Sequence, residues 1–450
     1  MLAMLFAVTA CSVTPENTDT NSDTGTNSDS SAGSTESDTS TKPGTGGTYV
    51  PPAILDHDTT NYVAKYADAK QTKIKYGSYS VKAPEIADYY NNYDAALSMT
   101  FDDGADIGAA RLAESIMSQY GFKGTLFLQI SNVQGNISEW QKLVSGDTFD
   151  VGSHSWSHSA PSGLSEDAYN HEIKDSLDYL QEKFSYENPV TYATPFSQLT
   201  ASYKQYLKDC GVISNRLEIG GSMVSPDTVD PDMLTVYAKR IDTGNNQESI
   251  VRINVGDALN NGKWFVELYH NVRVQDSTDI SEEDFRNHCK WLYDNYNGKV
   301  WFASYDDVAK YLVQKQTATI EYTDCDSESM TFVAKVEKNY GQEMTLRLFV
   351  PFFIDSAYAI VDGEEQYVEV VKEAGVSNAR VIYVNTEISE EGTEVKLMLG
   401  GNDKYLNNCN HAYSVNEVVE PTADSFGYTE MICTSCEHTY KELYTNKIGK

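Results

Sequence analysis

The sequence predicts an α/β domain followed by an all-β, Ig-like sandwich and a small Cys/His minidomain. Two patterns carry that prediction. From about residue 90 to 314 short apolar runs alternate with helical patterns, and beyond Gln314 apolar residues recur at period two between turns. Length is a third sign, since 450 residues exceed the size at which one hydrophobic core stops growing. Strands alternating with helices imply parallel strands with helical crossovers, either a barrel or a doubly wound sheet.

The elements follow in order. Residues 1–10 form an apolar run too short to span a membrane and shaped like the apolar part of an export signal. The run ends in Val8-Thr9-Ala10-Cys11, which resembles a bacterial lipobox with Cys11 as the acylated residue. An ordinary signal peptide containing a cysteine is the competing reading. Residues 12–49 are almost entirely Ser, Thr, Asn, Asp, Gly and Glu, a composition that buries no core and makes an extended tether. The α/β domain is expected over 50–314, with strands at 95–101, 124–130, 189–196, 264–271 and 299–304. Helices are expected at 107–121, closed by Gly121, and at 164–184, where Leu164, Ala168, Ile173, Leu177 and Leu180 fall near one face behind a Ser165 cap. Others fall at 200–210, 281–296 and 305–314. The runs ATIEYTDC, MTFVAKVEK, MTLRLFV, YAIVDG, ARVIYVN and EVKLMLG then alternate apolar and polar residues, the pattern of a sandwich over 315–402. Residues 403–450 form the minidomain.

Sixty-six acidic against 34 basic residues leave a formal charge of −32. That excludes nucleic acid as a partner, which requires a basic face. The charge suits a neutral or basic polymer handled in the open, and leaves the choice among such substrates unmade.

Within LSMTFDDGADIG (97–108), Asp102 and Asp103 sit side by side where an apolar strand ends. Adjacent like charges repel, so the pair needs either solvent or a counter-charge. DVGSHSWSHSAP (150–161) holds His154 and His158 at i and i+4, a spacing that aims two imidazoles at one point. Two such nitrogens and a carboxylate make a three-ligand metal site; a pair of surface histidines in a polar loop is the alternative. YATPFSQ (192–198) places a Pro-aromatic turn at a strand end, and LYH (268–270) ends another strand on a third histidine.

The order TFDDG, HSWSH, Pro-Phe turn, LYH resembles the polysaccharide deacetylase family, carbohydrate esterase family 4, over roughly residues 90–314. The resemblance implies a distorted (β/α)7-type barrel. It also implies an enzyme that removes N- or O-linked acetyl groups from a glycan such as xylan, peptidoglycan or a chitin-type polymer. A divalent metal is implied too, Zn2+ first, with Co2+, Ni2+ or Mn2+ as other ions that such a donor set accepts. By the same resemblance Asp103, His154 and His158 are the metal ligands, Asp102 the general base and His270 the general acid. The backbone N–H of Phe196 is the oxyanion donor, and Leu268 lines the pocket for the acetyl methyl group.

Two departures stand out. The family commonly carries an arginine two residues before the Pro of its third motif, to brace the base, and here that position is Ala193. Arg216 is the candidate cation from the next strand, and Asp242 the candidate brace for the acid histidine. His171 and His288 lie in helical patterns and are expected at the surface. The isolated Cys210, Cys289 and Cys325 are expected to be buried or free. In the tail, Cys409, His411, Cys433 and Cys436 have the spacing of a small structural zinc ribbon, with disulfide pairing as the competing state outside the cell. Together these features describe a monomeric, extracellular, lipid-tethered enzyme that meets the membrane only through its anchor. A non-catalytic carbohydrate-binding or adhesion lipoprotein on a degenerate barrel is the alternative, and the missing arginine is its main support.

Overall fold

The computed structural model describes residues 74–448 apart from 77–78, 185–189, 219–222, 227–232, 243–247, 274–276, 326–328, 374–375, 377–378, 402–411 and 436–438. Cys11 and the expected tether lie outside the described residues, as do Cys409, His411 and Cys436. No described helix is long and apolar enough to cross a membrane.

Eight parallel strands build the first part: β1 (Ala95–Asp103), β2 (Gly124–Leu128), β3 (Phe149–Ser153), β4 (Thr191–Ala193), β5 (Ser214–Glu218), β6 (Val236–Arg240), β7 (Trp264–Tyr269) and β8 (Val300–Phe302). The first seven pair in sequence order, and β7 pairs back onto β1, which closes a seven-stranded barrel. β8 pairs with Ala95 to Leu97, below the point where β2 joins β1 at Met99. Helices α1 (Ile107–Met117), α2 (Ile137–Val144), α3 (Ser176–Phe184), α4 (Ala201–Asp209), α5 (Glu248–Asn260), α6 (Glu282–Tyr296) and α7 (Tyr305–Thr317) lie between and after the strands.

Period-two alternation along β1 sorts two cores. Leu97, Met99 and Phe101 join Ile116, Phe265, Tyr269 and Phe285 in an outer layer under the helices. Ala96 faces the barrel interior with Phe127, Ala193, Trp264, Val266, Leu268 and Tyr305. Sequence reading missed β3 and β6, and helices α2 and α5, and gave no bounds for β5, which it marked only through Arg216. β5 is SNRLE and β6 is VYAKR: short strands whose polar side chains find partners inside or at the rim of a barrel carry no apolar alternation to read. The helical window over 164–184 is present but passes through a π-helical stretch, Asn170–Asp175.

Eight further strands follow: β9 (Thr319–Cys325), β10 (Ser329–Lys335), β11 (Met344–Pro351), β12 (Ile354–Val361), β13 (Glu364–Val368), β14 (Val370–Val371), β15 (Ala379–Thr386) and β16 (Thr393–Gly401). One antiparallel sheet runs 9-10-16-12-13. The other runs 14-15-11 and ends on a short strand from before the barrel, Glu85–Ile86. The two sheets bury Phe332, Leu397, Leu346 and Val384 in one core that is continuous with the barrel interior and with Tyr311 and Leu312 of α7. Residues 315–317, expected to begin the sandwich, belong to α7, whose Ala318 cap turns the chain into β9. Beyond Gly401, β17 (Tyr413–Val419), β18 (Gly427–Cys433) and β19 (Thr439–Thr445) form a three-stranded antiparallel meander.

Candidate active site

The C-terminal ends of β1, β3, β5 and β7 bring Asp102, Asp103, His154, Arg216 and His270 to one end of the barrel. Alternation sends Asp102 inward and would send Asp103 outward with Phe101. The strand instead ends on a left-handed residue, Asp103 at φ 72, followed by Gly104 at φ 64. A Cβ at Gly104 would lie 2.7 Å from Val133 Cγ1 and 2.9 Å from Leu128 Cδ2, so only glycine fits there. The turn leaves both carboxylates 3.6 Å from His154 Nε2, by way of Asp102 Oδ2 and Asp103 Oδ1.

The histidine loop is built from its serines and one buried acid. His158 is left-handed at φ 60, and its N–H donates to Ser155 Oγ at 2.8 Å; Ser155 is itself at φ 67. Glu172, 4% exposed on the π-helical stretch, accepts from both the N–H and the hydroxyl of Ser157, at 3.0 and 2.5 Å. These bonds set His158 Nε2 at 3.7 Å from Asp103 Oδ1. Left-handed backbone at non-glycine residues costs energy and persists where the surroundings over-determine it, which is common at functional sites. Glu172 escaped sequence reading because nothing in an amphipathic helical window marks one acid as turned inward.

Asp103, His154 and His158 offer donor atoms that all lie within 4.8 Å of one another. His154 Nδ1–H donates to Ala193 O at 2.8 Å, which fixes the tautomer and leaves Nε2 as a lone-pair donor. Burial, foremost, lowers the His154 pKa and keeps the ring neutral, against the pull of Asp102 and Asp103. The Asp103 oxygen stands 3.6 and 3.7 Å from the two histidine nitrogens, against the ~3.4 Å edge of a tetrahedron with bonds near 2.1 Å, so the set fits a divalent cation.

Arg216 answers the gap at Ala193. The two residues are paired in register on β4 and β5, so their side chains point the same way, into the barrel. The Arg216 guanidinium lies 5.3 Å from the Phe127 ring centroid and donates to Asp102 Oδ1. Burial would raise the Asp102 pKa; Arg216 first, then His154 and His270, outweigh it and hold the carboxyl below its usual range. Phe196, at φ 53 and 59% exposed, sets its ring 4.5 Å from that of His158. Its turn is anchored where Glu218 N–H donates to Ser197 Oγ at 2.6 Å. Leu268 is buried in the barrel interior, two residues before His270.

Residues 90–213 match the family model described as polysaccharide deacetylase. Over that stretch, about a quarter of its length, the chain is similar to polysaccharide deacetylases. The match takes in Asp102, Asp103, His154, His158 and Phe196 and ends before Arg216, Leu268 and His270. A gellan lyase of Bacillus sp. is 24% identical over 271 residues, which are 55% of this chain and 10% of the lyase. The chain therefore spans about a tenth of the length of that curated relative. Among solved structures, a peptidoglycan deacetylase from Bacillus subtilis is 20% identical, with 49% of this chain and 92% of that one covered and a TM-score of 0.33. A family 4 carbohydrate esterase from Streptomyces lividans, in complex with acetate, is 17% identical over 46% and 92%, with a TM-score of 0.33. A putative polysaccharide deacetylase from Mycobacterium smegmatis is 12% identical over 52% and 95%, at 0.38.

Two placements in the barrel differ from the sequence reading. Asp242 accepts from Arg240 Nε at 2.7 Å, while His270 Nδ1 is buried with no hydrogen-bond partner among the described residues, so the expected brace is not made. His288 is buried, not at the surface: its Nε2 lies 2.8 Å from Glu267 Oε1, under α6. Its polar partner on β7 satisfies the ring, and a single-helix pattern cannot reveal a partner from another element. His171 is half-exposed and bonds Asp175. Cys210 and Cys289 are free thiols, Cys289 buried; Cys325 is half-buried and Cys433 buried.

Proposed function

We propose that this chain is a metal-dependent hydrolase that removes N- or O-linked acetyl groups from a polysaccharide such as xylan, peptidoglycan or a chitin-type glycan. It works outside the cell and is tethered through Cys11. The observation that carries the reading is the convergence of one carboxylate and two imidazoles on one point, with a second carboxylate beside them held ionised by Arg216.

Asp103, His154 and His158 would hold the cation, and an ion bound there supplies a Lewis acid for the acetyl carbonyl and makes the attacking water more acidic. Asp102 takes the proton from that water as its oxygen bonds to the carbonyl carbon. The backbone N–H of Phe196 donates to the carbonyl oxygen as negative charge develops on it. Leu268 bounds the space for the methyl group. His270 returns a proton to the departing nitrogen or oxygen, so acetate leaves on one side and a free amine or hydroxyl on the other.

Acetate release from acetylxylan, chitooligosaccharides and peptidoglycan, with and without chelator, tests the reading. Chelation and Asp103→Ala are each expected to abolish release and metal content together. Asp102→Asn should keep the metal and lose at least about a hundredfold in kcat. Full activity in Asp103→Ala would sink the mechanism.

A further inference from the structure

The proposed chemistry occupies the C-terminal ends of the barrel strands. At the opposite end lies a separate cavity of about 420 Å³, a volume within the range of small-molecule sites. The nine residues of β1 put roughly 25 Å between the two ends, at a rise near 3.3 Å per residue. The cavity is lined by Tyr90, Tyr120, Lys123, Trp301, Asp307 and Glu343 among others, from the turn before β1, the α1–β2 connection, β8, α7 and the approach to β11. The rings of Tyr90, Tyr120 and Trp301 are half-buried where they line the space, and Phe122 is buried behind them. Tyr90 and Trp301 stand 5.6 Å apart at 38°, and Tyr120 leans on Phe122 at 5.6 Å. Glu343 Oε2 accepts from the Tyr90 hydroxyl at 2.8 Å, which fixes that wall in place before any ligand arrives.

Aromatic faces carry a negative quadrupole that attracts the polarised C–H groups of a sugar ring. Carboxylates beside them accept hydrogen bonds from sugar hydroxyls. Asp307 and Glu343 outnumber Lys123 on a chain of charge −32, so a phosphorylated, sulfated or uronic acid ligand is disfavoured. We propose that this cavity is a second, non-catalytic binding site for a neutral glycan segment of one or two sugar residues. It holds unreacted polymer while the far end of the barrel does its chemistry. The inference rests on the deacetylase reading only for the choice of polymer.

Affinity electrophoresis of the full chain, in gels containing soluble xylan or glycol chitin, tests it. At least one polymer should slow the wild type and Asp103→Ala alike. Trp301→Ala and Tyr120→Ala should each weaken that retention tenfold or more. Acetate release by these two variants from an acetylated trisaccharide should stay within twofold of wild type. Should Trp301→Ala fail to fold by circular dichroism, Tyr120→Ala at the rim decides alone. The proposal is overturned if neither polymer slows the wild type, if Tyr120→Ala binds as tightly as wild type, or if Asp103→Ala alone removes the retention. Polymer binding with no acetate release from any substrate would instead sink the deacetylase reading and leave this site standing.

Discussion

At Asp102 a single carboxylate is asked to stay charged while 6% exposed inside a barrel mouth. Desolvation opposes this, and the Arg216 guanidinium supplies the largest opposing effect. Removing one partner of a buried pair leaves an uncompensated charge, at a cost of about 3–5 kcal/mol. Arg216→Ala is therefore expected to lower stability by that order in denaturant melts, and to reduce kcat with little change in KM. Because Ala193 lies in register beside Arg216 and faces the same interior, adding Ala193→Arg to that variant should recover part of both losses. A double variant no better than Arg216→Ala would show that the charge matters only from β5. The residues that carry this site were readable as local words, TFDDG and HSWSH, since glycine at a left-handed turn and i,i+4 imidazoles are short-range requirements. Arg216 could be named only as a candidate cation by its place on the next strand; its bond to Asp102, which joins strands 114 residues apart, is a tertiary fact.

The element that holds the histidines is a loop with no regular structure of its own. Its shape depends on Glu172, which sits on the π-helical stretch and receives the Ser157 N–H and hydroxyl. One extra residue in a helical turn rotates side chains relative to an α-helix, and here it turns an acid inward at 4% exposure. Groups that orient metal ligands from behind typically contribute 10–100-fold to metal affinity. Glu172→Ala should weaken zinc or cobalt binding by that factor in a competition titration, whereas Glu172→Gln, which keeps one acceptor oxygen, should lose less. Equal affinity in Glu172→Ala and wild type would remove the residue from this role. Long amphipathic helices such as α6 and α7 were legible because their apolar spacing is local. β6 was not, and β5 was marked only by Arg216, because the barrel interior accepts their polar residues only once seven strands have closed around it.

Over the whole molecule, barrel and sandwich share one apolar core, and a strand from before the barrel, Glu85–Ile86, completes the second sheet. Buried Arg347 reinforces that link by bonding both Glu85 and Glu373. The N-terminal floor of the barrel, where α7 enters, gathers Asp150, Asp306 and Asp307. Burial first, then the charges of Asp307 and Asp306, pushes the Asp150 carboxyl up to about 7. A carboxyl whose folded pKa exceeds its unfolded one binds more protons when folded, so its contribution to stability declines as pH rises from about 4 to about 7. Asp150→Asn should gain thermal stability over wild type above pH 7, with the gain shrinking toward pH 4. A constant difference across that range would show that Asp150 titrates as an ordinary acid. The sequence alone determined the alternation of strands and helices, the switch to period two once the last long helix ends, and the short motifs whose chemistry is set by neighbours in the chain. Tertiary structure alone decided which strands close the barrel, that Arg216 stands in beside Ala193, that His288 is buried on Glu267, and that Asp242 turns to Arg240. Each of these depends on groups brought together from distant elements, where burial makes an unpaired charge or donor costly, and no local spacing records that requirement.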